Sequence, residues 1–368
     1  MVTGDERVLD RRALNRALLA RQLLLERSSM TAAGAIGHLV GMQSQAPNPP
    51  YIGLWTRLTG FRTADLADLM RSHEAVRLVL MRGTIHLVTA DDCVALRPVL
   101  GAALRQGLKG TFGRKLDGLD TDKVAEFGRE LVEREPLTLG GLGTLLAERW
   151  PDRDPFALAN AVRNLVPLVQ VPPRGLWGES GQAVHTSAEA WLGRPLAEET
   201  APDLVVERYL AAFGPATVKD VQAWSGMTRL ADAVKRLRPR LLSFRDEHGR
   251  ELLDLPDAPR PDADTPAPVR FLPDFDNILL SHADRARILT EEQRMLVFTR
   301  NGLIRPTFLV DGFVAGLWRI EQTRDAAVLV VEPFAKLGTA ARAALAEEGA
   351  ALLAFAAAPA AKRDVRFA

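Results

Sequence analysis

The sequence predicts an α+β fold with three consecutive units, each made of helices followed by a two-stranded hairpin, and a smaller β-rich unit after them. Three observations predict it. The helix–helix–hairpin order recurs three times, a segment rich in proline and aspartate follows the third recurrence at 256–268, and several β-like runs and one helix lie beyond it. A chain of 368 residues is also too long for one ordinary core. The predicted units span 8–96, 97–195, 196–258 and 259–368.

The first unit begins with leucines spaced three and four residues apart over 9–25, with arginines on the opposite face. This spacing predicts an amphipathic helix. Ser29 or Thr31 is a suitable cap for a second helix, which we expect to end near Met42, and Thr63 begins a third.

Each unit ends in two alternating apolar runs joined by a turn, as in a β-hairpin. The paired runs are 75–80 with 84–88, 168–173 with 183–186, and 241–245 with 251–255. Helices followed by such a hairpin form a winged helix, a module that binds DNA. The sequence therefore predicts three tandem winged-helix modules around a DNA-binding cleft.

The C-terminal unit contains several β-like runs and ends in a helix rich in alanine and leucine over 336–358. Asp311 and Gly312 suit a tight turn between two of the strands. We expect a small β-barrel that this helix closes or covers.

The composition is that of a soluble globular protein, with 47% hydrophobic and 25% charged residues. No apolar run is long enough to span a membrane and residues 1–7 lack an apolar signal core, so we expect a cytoplasmic, nucleoid-associated protein. Cys93 is the single cysteine, and the six histidines lack metal-ligand spacing, so no metal or other cofactor is expected. The net charge of +1 neither favours nor excludes nucleic-acid binding.

The loop that begins at Gln43 is the most informative stretch. Its proline-rich continuation cannot extend a helix, and Gln43 and Gln45 stand two apart in extended chain, where alternate side chains face the same way. Two amides could hold a water or polarise a substrate, because each offers an acceptor oxygen and two donor hydrogens. They could equally mark the end of a helix and bind loop backbone.

Three segments resemble the AlkZ/YcaQ family of bacterial DNA glycosylases, which are built from tandem winged helices. They are QSQAPNPPYIGLW at 43–55, MRGTIHLV at 81–88 and LPDFDN at 272–277. The Gln-x-Gln form is similar to the azinomycin-resistance branch, whereas the YcaQ branch has Gln-x-Asp. The resemblance implies that Gln43 and Gln45 are the catalytic pair. It also implies hydrolysis of bulky N7-alkylguanine adducts and of interstrand crosslinks in double-stranded DNA.

Neutral amides suit such a substrate, because an N7-alkylated guanine is already cationic and its glycosidic bond needs no acid. No lysine lies in or near the loop, so a Schiff-base lyase is not indicated and we expect a monofunctional, monomeric glycosylase without an obligate protein partner. Gln45 stands where the YcaQ branch has an aspartate, so this chain lacks that possible general base. The substrate range of the YcaQ branch therefore need not apply to this chain.

Further candidates for contact with DNA or the lesion are Asn48, Tyr51, Trp55, Arg82, His86, Asn301 and Arg305. The aromatic residues could instead belong to the core, and His86 could be structural. Arginines on the first helix, among them Arg11, Arg12 and Arg16, are candidates for phosphate contact. Asp274 and Asp276 are the carboxylates of interest, and we expect them to cap a turn.

Two readings from other classes stay open at this stage. A winged-helix transcription regulator would bind DNA without chemistry, and a sensor would sequester a toxic, DNA-alkylating natural product without binding DNA.

Overall fold

A computed structural model describes residues 8–368. The expectation about a signal segment concerns residues 1–7, which lie outside the described residues. The helices are α1 Arg11–Arg21, α2 Ala32–His38, α3 Pro49–Trp55, α4 Thr63–Arg71, α5 Ala90–Val99, α6 Gly101–Phe112, α7 Thr121–Arg134, α8 Leu139–Arg149, α9 Pro155–Leu165, α10 Ala188–Leu192, α11 Asp203–Phe213, α12 Val218–Ser225, α13 Ala231–Leu237, α14 Asn277–Leu280, α15 Glu291–Val297 and α16 Thr339–Ala356. The strands are β1 Val8–Leu9, β2 Met42–Gln43, β3 Ala75–Val79, β4 Ile85–Thr89, β5 Leu137–Thr138, β6 Leu168–Val171, β7 Val184–Ser187, β8 Leu242–Asp246, β9 Glu251–Asp254, β10 Arg270–Leu272, β11 Thr307–Val310, β12 Phe313–Gln322, β13 Ala326–Pro333 and β14 Lys362–Phe367.

All three predicted hairpins form, as β3–β4, β6–β7 and β8–β9. The first two do not stand apart, because β3 also pairs with β6, with Arg77 opposite Gln170. Together they form one sheet in the order β2-β4-β3-β6-β7-β5. The strand that carries Gln43 is thus the edge strand of a sheet to which both of the first two predicted units contribute.

The second helix ends earlier than predicted. α2 stops at His38, and Met42 belongs to the short strand β2 instead of a helix. Val40 and Gly41 both have left-handed backbone conformations, with φ of 55° and 83°. A left-handed turn ends a helix, and here it directs the chain into pairing with β4.

The arginine-bearing face of α1 is not a free basic surface. Arg16 and Arg21 have no exposed side-chain area, and they pair with Asp311 and Asp254 respectively. The pair of Arg21 with Asp254 is bidentate, at 2.7 and 2.8 Å. Asp254 of the third hairpin lies against this helix, so the amphipathic pattern was read correctly, but its polar face is internal at Arg16 and Arg21 and exposed at Arg11. Arg16 is therefore not available to phosphate in this structure.

The C-terminal unit is an open sheet in the order β10-β11-β12-β13-β14, so the predicted closed barrel is not confirmed. β14 follows α16 and pairs parallel to β13, which leaves β10 and β14 as opposite edges. α16 covers one face through Leu345, Leu352 and Leu353. Gly349 brings this helix close, because a Cβ there would lie 2.7 Å from Leu329 Cδ2.

The architecture is therefore mixed α+β, as predicted. Within residues 8–368, the helices are either too short or too polar to cross a membrane.

Candidate active site

Gln43 is held at the edge of the six-stranded sheet by the first hairpin. It pairs with His86 in the β2–β4 register and is 7% exposed. Arg82, in the turn of that hairpin, donates from Nη2 to Gln43 Oε1 at 2.7 Å. A guanidinium can only donate, so this contact identifies the oxygen of the amide and turns Nε2 away from Arg82. Gln43 Nε2 forms no hydrogen bond with residues 8–368.

Gln45 is exposed and is anchored to the same hairpin. Its Oε1 accepts from the backbone N–H of Ile85 at 3.2 Å. Between the two glutamines, Ser44 is buried and donates its own N–H to the Ile85 carbonyl at 2.7 Å. The side-chain oxygen of each glutamine thus accepts a hydrogen bond from a group that can only donate. The side-chain N–H groups are left to donate to a substrate.

Arg77 secures the loop from the other face of the sheet. Its Nε donates to Ser44 Oγ at 2.9 Å and its Nη2 to the Ser44 carbonyl at 2.7 Å. Burial, with a smaller effect from Arg174, lowers the pKa of Arg77 to about 10, so the side chain stays charged at neutral pH. Sequence reasoning missed this residue. The feature that could have identified Arg77 is its position in the middle of an apolar strand, because a buried arginine needs hydrogen-bond partners.

Arg82 joins the first hairpin to the third unit. It adopts φ of 55°, and its Nη1 donates to the Trp224 carbonyl. Burial is the main reason that the pKa of Arg82 falls to about 10, with Arg285 adding to it. The side chain therefore lies between protein elements and orients Gln43.

His86 lies next to this pair and is 2% exposed. Burial, followed by the charge of Arg82, lowers the pKa of His86 to about 3. Its Nδ1 is 3.0 Å from the Thr84 carbonyl, which can only accept, so Nδ1 carries the proton. His86 is a neutral imidazole at physiological pH.

The aromatic candidates pack inside the protein. Tyr51 has no exposed area, and its hydroxyl donates to the Gly175 carbonyl at 3.0 Å and accepts from Trp177 N–H at 3.1 Å. Trp55 stacks on Phe355 of α16 at 5.9 Å between ring centroids. In this structure Tyr51 has no surface to offer a lesion, which agrees with the alternative that it belongs to the core.

Three candidates are exposed, namely Asn48, Asn301 and Arg305. Asn48 precedes α3 but makes no side-chain cap. Arg305 lies 3.7 Å from Glu332, a loose pair on the surface. No hydrogen bond or ion pair within residues 8–368 joins these three to Gln43 or Gln45.

The segment LPDFDN packs against the glutamine loop, where Pro273 to Asn277 line one cavity with Gln43. Asp276 forms a buried bidentate pair with Arg57 at 2.8 and 2.9 Å and also accepts from the Ile278 N–H. The expected capping role is thus confirmed for Asp276. Asn277 donates from Nδ2 to the Gly41 carbonyl at 2.8 Å, just before Gln43.

No cluster of three or more histidine, cysteine, aspartate or glutamate side chains within residues 8–368 is arranged to hold a metal ion.

The complete fold is that of a solved DNA glycosylase. The structure of Streptomyces sahachiroi DNA glycosylase AlkZ superposes with a TM-score of 0.82 over 98% of this chain and 100% of that one, at 21% identity. A relative from Streptomyces sahachiroi, described as an interstrand DNA cross-link repair glycosylase, is 23% identical over 338 residues, covering 86% of this chain and 88% of the relative.

The family model described as DNA glycosylase AlkZ-like matches residues 36–355. The chain therefore belongs to the AlkZ-like family of DNA glycosylases, as its three segments led us to expect.

Proposed function

We propose that this protein hydrolyses the N-glycosidic bond of bulky N7-alkylguanine adducts in double-stranded DNA and unhooks interstrand crosslinks, with Gln43 and Gln45 at the reacting sugar. The observation that carries the proposal is the fixed orientation of both amides. Their oxygens accept from Arg82 and from Ile85 N–H, which leaves the N–H groups free of described partners.

The amides do not need to protonate the leaving group, because alkylation has already activated it. A guanine alkylated at N7 carries a positive charge, and the electron pair of the broken bond neutralises it. Donors that position the sugar then lower the barrier without supplying an acid. No lysine stands between residues 41 and 55, which supports a monofunctional enzyme that leaves an abasic site.

An open site would suit a bulky or crosslinked base, which cannot be turned into a closed pocket. Gln45 is exposed, and the cavity that adjoins Gln43 has a volume of about 10 Å³, far too small for a nucleobase. The relative described as a cross-link repair glycosylase supports the same substrate class.

For DNA binding, we propose that 8–96, 97–195 and 196–258 act as winged-helix modules and that the three hairpins rest on the duplex. The exposed Asn48, Asn301 and Arg305 are the candidates for direct contact. Membership in a DNA glycosylase family supports duplex DNA as the partner.

The test measures base release from one duplex that carries N7-methylguanine and another that carries a bulky N7-guanine adduct. Wild type is compared with Gln43→Ala and Gln45→Ala, and with Gln322→Ala, an exposed glutamine on β12, as the matched control. Binding to a duplex with a stable abasic analogue is measured for every variant.

Release by wild type and by Gln322→Ala, lost in the other two variants with binding retained, is the expected result. Strong DNA binding without release from either substrate would contradict the proposal and favour a regulator.

A further inference from the structure

The turn 273–277 contains one polar side chain that the fold does not use. Asp276 pairs with Arg57, and Asn277 binds the Gly41 carbonyl. The carboxylate of Asp274 forms no ion pair and no hydrogen bond with any other residue of 8–368. Its hydrogen-bond donor is its own backbone N–H. It is only partly exposed, so it is a carboxylate withdrawn from water without a cation beside it.

Asp274 and Gln43 line the same cavity, together with Asn277. Its volume of about 10 Å³ is about the room that one water molecule needs. Polar groups from both sides of the cavity can hold such a water.

The residue after Asp274 has a strained backbone conformation. Phe275 is buried and has φ of 58°, a left-handed conformation that is rare for a bulky residue. Phe275 stands between Asp274 and Asp276, and the Asp276 carboxylate is paired with Arg57.

The glutamines leave one requirement of the reaction unmet. Hydrolysis needs an acceptor for the proton of the attacking water, and a negative charge near the sugar stabilises its oxocarbenium character. Both amide oxygens already accept from donor-only groups. A neutral amide is also a very weak base, so we look for the proton acceptor elsewhere in the chain.

We propose that Asp274 is a catalytic residue of this glycosylase, and this assignment rests on the function proposed above. As the bond between C1′ and N9 breaks, its electron pair stays on the cationic guanine, which leaves neutral. The oxygen of a water held between Gln43 and Asp274 bonds to C1′, and its proton passes to the Asp274 carboxylate. The negative charge of that carboxylate meanwhile stabilises the positive sugar.

Burial raises the pKa of Asp274, which makes the carboxylate a stronger base. The other ionisable side chain that lines the cavity is Asp276, paired with Arg57, while β2 and α3 contribute Met42, Gln43, Pro49 and Pro50. Arg82 and His86, with pKa values of about 10 and about 3, do not titrate between pH 5 and 8. A rate that decreases toward acid pH in wild type but not in the Asp274 variants would thus report on Asp274.

The experiment measures single-turnover release of N7-methylguanine from duplex DNA between pH 5 and 9, for wild type, Asp274→Asn and Asp274→Ala. We expect a rate about 100-fold lower in both variants and loss of the acid limb. Binding to the abasic analogue should stay unchanged. Asp257→Asn, which alters an exposed aspartate after β9, is the control and should keep the wild-type rate.

Sodium formate provides a readout that a structural role would not give. A small carboxylate that enters the space left in Asp274→Ala should restore part of the rate, and it should leave Asp274→Asn unchanged because the amide fills that space. Wild-type rates and pH profiles in both Asp274 variants would overturn the assignment while the glycosylase function stood. Absence of release by wild type would overturn the function and the assignment together.

Discussion

Arg57 and Asp276 form a bidentate ion pair with almost no exposed area on either side chain. Arg57 follows α3 and Asp276 precedes α14, so the pair ties the helix after the glutamine loop to the turn that carries Asp274. Removal of one partner would leave the other charge buried without compensation.

We therefore expect Asp276→Asn to lower the free energy of unfolding by about 3–5 kcal/mol, measured by urea denaturation. The double variant Arg57→Met with Asp276→Leu should recover a large part of that loss, because it buries no charge. A loss in Asp276→Asn below about 1 kcal/mol, the range of a surface pair, would contradict this account.

Arg82→Met tests whether Arg82 orients Gln43 or contacts DNA. Methionine keeps most of the side-chain volume but removes the donor to Gln43 Oε1. Because groups that orient a reacting residue are typically worth about 10–100-fold, we expect the single-turnover rate to fall by that factor with little change in DNA affinity. The comparison is Arg305→Met, which alters an exposed arginine and should weaken binding without affecting the rate on bound DNA. Weaker binding with an unchanged rate in Arg82→Met would assign Arg82 to DNA contact.

The low pKa of His86 predicts loss of stability in acid. The pKa is about 3 in the folded protein against 6.5 for an ordinary histidine. Between these values the unfolded chain binds a proton that the folded protein does not. The stabilisation is therefore fully present above about pH 6.5, and the free energy of unfolding decreases as pH falls from about 6.5 toward 3. His185 and His282, with pKa values lowered by burial to about 4 and about 3, act in the same direction.

Urea unfolding at pH 7.5 and pH 5.0 should thus show a smaller difference in His86→Gln than in wild type. His248→Gln, at an exposed position, is the control and should keep the wild-type difference. An equal difference in all three proteins would show that His86 is protonated in the folded state.

Gly41→Ala tests the turn that places β2. Gly41 has φ of 83°, and a Cβ there would lie 2.5 Å from Val88 Cγ1 and 2.9 Å from the Leu87 carbonyl. The unfavourable φ and the close contacts both push β2 away from β4. We therefore expect the free energy of unfolding, measured by urea denaturation, to fall by about 1–3 kcal/mol and base release to become slower. Gly107→Ala on α6 is the matched control. Apart from its chain neighbours and the backbone of its own helix, no atom of residues 8–368 lies within 4 Å of a Cβ placed there, and alanine favours a helix. Equal stability of both variants would contradict the prediction.

Several structural features followed from local patterns in the sequence. The turn of the first hairpin was predicted at residues 81–83, and the structure has it there, because strand alternation and a glycine turn are encoded by neighbouring residues. Family membership followed from three separated segments and is confirmed. The catalytic roles of Gln43 and Gln45 stay predictions.

Contacts between distant segments were beyond local reasoning. The basic face of α1 reads as surface until Asp254 and Asp311 are known to lie against it. The sequence left Tyr51 open between contact with the lesion and a place in the core, and the bonds of its hydroxyl with Gly175 and Trp177 place it in the core. The pairing of β3 with β6 joins two units that the sequence presents in series.

The sequence alone determined the α+β class, the three hairpins, the glutamine loop and the family, since each can be read from short segments of the chain without knowing which segments touch. Only the tertiary structure decided that Arg82 turns the amide of Gln43 and that Asp274 shares a cavity with it. The physical reason is that orientation and burial depend on contacts between segments far apart in sequence. In this protein, residues 43, 82 and 274 reach one place only after the chain has folded.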